Sequence, residues 1–130
     1  MTTDPRQMTH DELNREAASG VMGWEVHGPL DSCDVSSDGR KHYRNGRVFW
    51  YASGTHMQEW SPATSIADAK ELWTELRKDG WAICITDPHV GTLVGVSMVK
   101  RIGLSVEAVA ETEAKAITIA AIMAKREEKK

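Results

Sequence analysis

Cysteine is scarce in this chain, and so is phenylalanine. Cys33 and Cys84 are the only two thiols, and there is a single Phe. Two isolated cysteines make no zinc framework and no disulfide scaffold, and reduced thiols of this kind suit a cytosolic protein. A basic excess is also missing. The formal net charge is −3 and the pI about 5.9, which argues against a partner made of nucleic acid, because such domains carry cations to neutralise phosphates. Sixteen Lys and Arg still leave room for a local basic patch. No apolar run approaches the ~20 residues that a membrane-spanning helix needs. The first nine residues are polar, so no secretory leader is predicted.

The familiar catalytic signatures are missing as well. No Gly-x-Ser-x-Gly, no phosphate-cradling glycine loop and no His-Glu-x-x-His occurs. The five histidines are His10, His27, His42, His56 and His89. All but His10 fall in predicted loops or strand ends. His27, Cys33 and His42 could be gathered by one long loop, but their spacing matches no compact zinc pattern. Cys33 lies between Asp31 and Asp34, a setting that disfavours a thiolate. Cys84 is expected inside an apolar strand and therefore inert. The reading predicts no catalytic residues, no metal and no cofactor, and leans away from an enzyme.

What the chain does have is 130 residues, 41% of them hydrophobic and 27% charged, enough for one soluble domain with its own core. It also has five tryptophans. Each brings a large apolar surface and an N–H that needs a partner, so most are expected to be core anchors. Two or three of them are candidates for a pocket or an interface.

Helix signals are clear at three places. Thr9 and Glu12 form a capping box ahead of Leu13, Ala17 and Val21, which predicts a helix over residues 10–21, with Glu12, Asn14, Arg15 and Glu16 mostly on the wet side. Ser65 and Asp68 form a second box. Behind it Ile66, Ala69, Leu72, Trp73 and Leu76 make one apolar stripe that Asp79-Gly80 closes. Trp60 and Trp73 are expected to be structural. Thr112 caps a third helix over residues 114–124, apolar around most of its girth. More than one side of it must be covered, which predicts a homo-oligomer, most simply a twofold dimer. The stretches 1–8 and 126–130 are read as frayed tails around a domain spanning 9–125.

Strands fill the intervals. Trp24-Glu25-Val26 begins one by alternation, and a polar loop follows over residues 27–40. Asn45-Gly46 is the strongest hairpin signal, because both residues tolerate the positive φ of a type I′ turn. Residues 57–60 are an optional strand. Trp81, Ile83 and Ile85 alternate with Ala82, Cys84 and Thr86, and Leu104, Val106, Ala108 and Ala110 alternate with Ser105, Glu107, Val109 and Glu111. Gly95 is a candidate bulge. The predicted class is α+β, a mainly antiparallel sheet sandwiched between helices, in the order α-β-β-(β)-α-β-β-β-α.

Several of these pieces resemble the phage ABA sandwich domain family. They are Val21-Met22-Gly23-Trp24 at the exit of the first helix; Trp60-Ser61-Pro62 with Ile66, Ala69 and Leu72; Gly80-Trp81; and Glu113-Ala114 through Ala116-Ile117 and Ala120-Ala121. The resemblance covers residues 10–124. Where the family pattern often has Pro-Ser-Thr-Asp, this chain has Pro62-Ala63-Thr64-Ser65, and residues 31–41 form a longer segment than the pattern has. The resemblance implies a three-layer α-β-α sandwich of phage or prophage origin in the cytoplasm of a bacterial host. It supplies no catalytic residues.

One constellation carries chemistry. Arg44 and Arg47 flank the hairpin turn beside Trp50 and Tyr51, with Trp24 and Trp60 as possible neighbours. Arginine binds phosphate bidentately and flat aromatics stack on bases. The same set suits a protein hot spot. The expectation is a phage accessory protein that acts by binding. It would take up a host nucleotide-like small molecule or block a host defence protein. The alternatives are a small nucleotide-acting enzyme with loop-borne histidines and carboxylates, and an assembly factor without ligand.

Overall fold

A computed structural model describes residues 4–23, 42–44, 47–52, 56–86, 93–101 and 103–128. The expected strand at Trp24, the loops over 27–40 and 87–91, and the Asn45-Gly46 turn itself lie outside the described residues. In chain order the elements are α1 (His10–Glu16), β1 (His42–Arg44), β2 (Arg47–Ala52), β3 (His56–Trp60), α2 (Ile66–Lys78), β4 (Ala82–Thr86), β5 (Val94–Arg101), β6 (Leu104–Ala110) and α3 (Glu113–Glu128). The class is α+β. All strand pairings are antiparallel, in two sheets ordered β1-β2-β3 and β4-β5-β6.

The helix ends follow their capping chemistry. Glu12 N–H donates to Thr9 Oγ1 at 3.2 Å and Thr9 N–H to Glu12 Oε1 at 3.2 Å, the reciprocal box expected from sequence. After Glu16 the helix widens into a π turn over Ala17–Val21, where Met22 N–H reaches Ala17 O at 3.0 Å. At α2 only half of the expected box forms in the expected way. Ser65 Oγ accepts from Asp68 N–H, but Asp68 Oδ2 accepts from Ser61 N–H at 2.8 Å and so ties the helix to the preceding turn. Past the end of α2, Gly80 at φ 95° lets Trp81 N–H bond Leu76 O and Gly80 N–H bond Arg77 O, a Schellman closure that needs this left-handed residue. Thr112 Oγ1 accepts from Lys115 N–H at 3.2 Å and caps α3.

The core is built around α3. The helix packs on β5 and β6 on one side and on α1, its π extension and α2 on others. Ala116, Ile117, Ile119, Ala120, Ala121, Ile122 and Ala124 are all buried within one chain. The apolar girth of α3 is thus covered by its own domain, and the sequence argument that it needs a second copy loses its premise. The alanines permit this close approach from several directions, because a short side chain lets a neighbouring backbone come near. In β6, Val106, Ala108 and Ala110 are buried while Ser105, Glu107 and Val109 are exposed, as the alternation predicts.

Several details differ from the sequence expectation. Ile66 is 39% exposed, because it opens α2 before the helix turns its stripe inward, and Trp73 is only partly buried. Cys84 is exposed, since its parity puts it on the outer face of β4. The irregularity in β5 falls between Val99 and Arg101 rather than at Gly95, which pairs regularly with Thr86 and Val109. Structure extends into the described parts of both stretches read as tails. Pro5–Gln7 forms a 3-10 turn capped by Asp4, with Pro5 buried, and α3 continues to Glu128.

The end of α3 is held by a polar cluster. Glu128 Oε1 accepts from Trp81 Nε1 at 2.5 Å and from Lys100 Nζ at 3.0 Å, Lys125 pairs with Asp79, and Arg126 pairs with Glu16 at 3.4 Å. Burial of Glu128 acts to raise its pKa. The Trp81 and Lys100 hydrogen bonds and the Lys125 charge outweigh it and hold the carboxyl below its ordinary value. A carboxyl whose folded pKa is depressed contributes stability above its unfolded pKa and loses it as pH falls through the folded one. The Glu128 contribution should therefore be intact at neutral pH and fade as the pH drops below the ordinary glutamate value of about 4.3. Glu128→Gln should flatten that acid limb in denaturation measured across pH. An acid limb unchanged by the substitution would remove Glu128 from the account.

Candidate functional site

The hairpin sheet is defined by its strand register. Two residues, Asn45 and Gly46, separate β1 from β2, and the register pairs Arg44 with Arg47, Tyr43 with Val48 and His42 with Phe49. Cα atoms of directly opposed antiparallel residues lie about 4.5–5.5 Å apart, so the two arginines flank the turn as immediate cross-strand neighbours. Like charges placed this way destabilise a hairpin. The next pairing is equally regular, with Val48 opposite Trp60, Phe49 opposite Glu59, Trp50 opposite Gln58 and Tyr51 opposite Met57.

Alternation then assigns two faces. Arg44, Arg47, Phe49 and Tyr51 share one, together with His42, Glu59 and Met57. Val48, Trp50 and Trp60 share the other. Along β2 the step from Arg47 to Phe49, and again to Tyr51, is about 7 Å, comparable to the span from a nucleotide's phosphate to its base. The register thus puts Arg44 and Arg47 opposite each other, with Phe49 and Tyr51 at the next alternate positions of β2. Glu59 pairs with Phe49 and so stands at the register position diagonal to Arg47.

This divides the six residues expected from sequence. Arg44 and Arg47 are register partners, and Tyr51 stands four residues along β2 from Arg47. Trp50 belongs to the opposite face. Trp24 lies outside the described residues. Trp60 is 2% exposed and its Nε1 donates to Glu71 Oε2 on α2 at 2.5 Å, a structural arrangement that buries the indole and partners its N–H. Alternation along β2 already places Phe49 with Arg47 and Tyr51, whereas Glu59 and His42 were not singled out from sequence. Counting alternate positions outward from Asn45-Gly46 reaches His42 and Phe49, whereas Glu59 follows only from the β2–β3 register.

The hairpin sheet is fixed to the domain at its β3 end. α1 packs against β2, and α2 binds Trp60 through Glu71 and Ser61 through Asp68. Asn14, expected on the wet side of α1, is buried instead. Its Nδ2 donates to Ser61 Oγ at 2.9 Å and its Oδ1 accepts from Ala63 N–H at 3.0 Å. One amide thus partners a hydroxyl and a backbone donor in the turn that leads to α2. The signal for it in sequence was the Ser61-Pro62-Ala63 turn, whose buried backbone N–H needs an acceptor from elsewhere.

Among the described residues no group of three or more His, Cys, Asp or Glu is placed to hold a metal ion; His27 and Cys33 lie outside them. No helix among the described residues is long and apolar enough to cross a membrane.

Comparison with known proteins gives a fold and an origin. No functionally curated protein matches the chain. A phage protein from Bacillus cereus ATCC 14579, known from a crystal structure at 2.0 Å, superimposes with a TM-score of 0.60 at 16% identity, covering 95% of this chain and 99% of its own. At that identity the likeness speaks for the fold alone. The sequence profile described as the phage ABA sandwich domain matches residues 17–122, a span that takes in α1's π extension, both sheets, α2 and most of α3. The chain therefore belongs to the phage ABA sandwich domain family.

Proposed function

We propose that this protein is a phage accessory protein that acts by binding, and that its ligand is an anionic, nucleotide-like small molecule of the bacterial cytoplasm held on the Arg44–Arg47 face of the hairpin sheet. The observation that carries this reading is the register itself. It sets two arginines directly opposite each other, at a cost to the hairpin, with Phe49 and Tyr51 at the next alternate positions of β2. An anion between the guanidinium groups relieves that repulsion and accepts charge-assisted hydrogen bonds from both. The aromatic steps offer stacking surfaces for a base.

Calorimetry against mono-, di- and cyclic nucleotides tests it. Arg47→Ala should weaken binding by about 1–3 kcal/mol, the range for a hydrogen bond to a charged group, with little change in stability. Glu59→Gln, which removes a carboxylate at the register position diagonal to Arg47, should strengthen anion binding by about 0.2–1 kcal/mol. Heat from no member of the panel would reject the small-molecule ligand. Undiminished affinity in the Arg47 variant would reject the site. A face of arginine, tyrosine and methionine is also the composition of protein hot spots, so the first failure would favour a host protein as the partner.

A further inference from the structure

We infer that β6 is a self-complementary edge through which two copies of this chain pair, joining their β4-β5-β6 sheets into one antiparallel six-stranded sheet. This is independent of the nucleotide reading. Among the described strands β6 has a neighbour on one side only, β5, so no described strand pairs with the backbone donors and acceptors on the other side of its seven residues. Natural edges are guarded by Lys, Pro, bulges or short length. β6 reads Leu-Ser-Val-Glu-Ala-Val-Ala, with no Pro, no Lys and a single charge, Glu107. The one register irregularity in this sheet is in β5, between Val99 and Arg101, and so leaves that side of β6 straight. The other edge strand, β4, is shorter and is packed against by α2.

A second copy is the occupant because the edge matches itself in one register. In a twofold antiparallel pair, residues whose backbone groups point to that edge must face each other. They recur at every second position, so the axis passes through a residue. An axis at Glu107 opposes two carboxylates, which is unfavourable. An axis at Ala108 opposes Glu107 to the apolar Val109. An axis at Val106 opposes Ser105 to Glu107 of the second copy twice, and each hydroxyl can donate to a carboxylate. Both residues are exposed and free to do so. Main-chain hydrogen bonds then supply the affinity and this polar pair the register.

The experiment is light scattering over a micromolar concentration series with three proteins. Wild type should be dimeric. Ser105→Glu sets a carboxylate against Glu107 in both halves and should weaken the dimer by about tenfold or more. Ser105→Glu with Glu107→Lys should restore it, since each new carboxylate then faces an ammonium. Because both positions are exposed, far-ultraviolet circular dichroism should stay native in all three. A wild-type monomer throughout the series, or a dimer indifferent to Ser105→Glu, would overturn the proposal. So would failure of the double variant to regain the dimer while folded.

Discussion

A Trp60→Ala variant is expected to lose about 3–5 kcal/mol of stability, the range for removing a large buried aromatic. Trp60 ends β3, is 2% exposed, and donates its indole N–H to Glu71. Truncation leaves a cavity at the junction of the hairpin sheet with α2 and takes a donor from a half-buried carboxylate. Trp60→Phe separates the two effects, because it keeps most of the volume and removes only the donor, for a cost of about 1–3 kcal/mol. Urea denaturation measures both. A Trp60→Ala midpoint equal to wild type would show that the hairpin sheet is not anchored through this residue. Trp73, only partly buried on α2, should be clearly less sensitive to the same truncation.

The second large effect is expected at Ile117. It is fully buried on α3, in the helix that touches β5, β6, α1 and α2. Ile117→Ala should cost about 2–5 kcal/mol, with the spread set by how far those neighbours relax into the space. Val109→Ala, on the exposed side of β6 at 54% exposure, should stay within about 0.5 kcal/mol. Comparable losses at the two positions would mean that α3 does not organise the core.

Local chemistry was the most legible part of the sequence. The Thr9–Glu12 box, the Thr112 cap and the Gly80 closure depend on residues within five positions of one another, and all three form. The alternation in β6 predicted its buried and exposed faces residue by residue. Residues 57–60, read as an optional strand, belong to β3 because Trp60 pairs with Val48 and Met57 with Tyr51.

What sequence could not show depends on partners far along the chain. Asn14 reads as a solvent-facing residue until Ser61 and Ala63 are seen against it, forty-seven and forty-nine positions away. The end of α3 reads as a charged tail until Trp81 and Lys100 meet Glu128. The girth of α3 reads as surface for another chain until the sheet and two helices are seen to cover it. For the candidate site, the Arg44–Arg47 pairing followed from the Asn45-Gly46 turn. The separation of Trp50 followed from alternation along β2, whereas that of Trp60 needed the register with β3.

Amide chemical-shift mapping during titration with a nucleotide tests the binding account most directly, because it reports where a ligand sits as well as whether it binds. The account predicts shifts concentrated at His42–Arg44, Arg47–Ala52 and residues 57–59, with the buried Trp60 indole signal far less affected. Shifts concentrated on another surface, or none at saturating nucleotide, would contradict it.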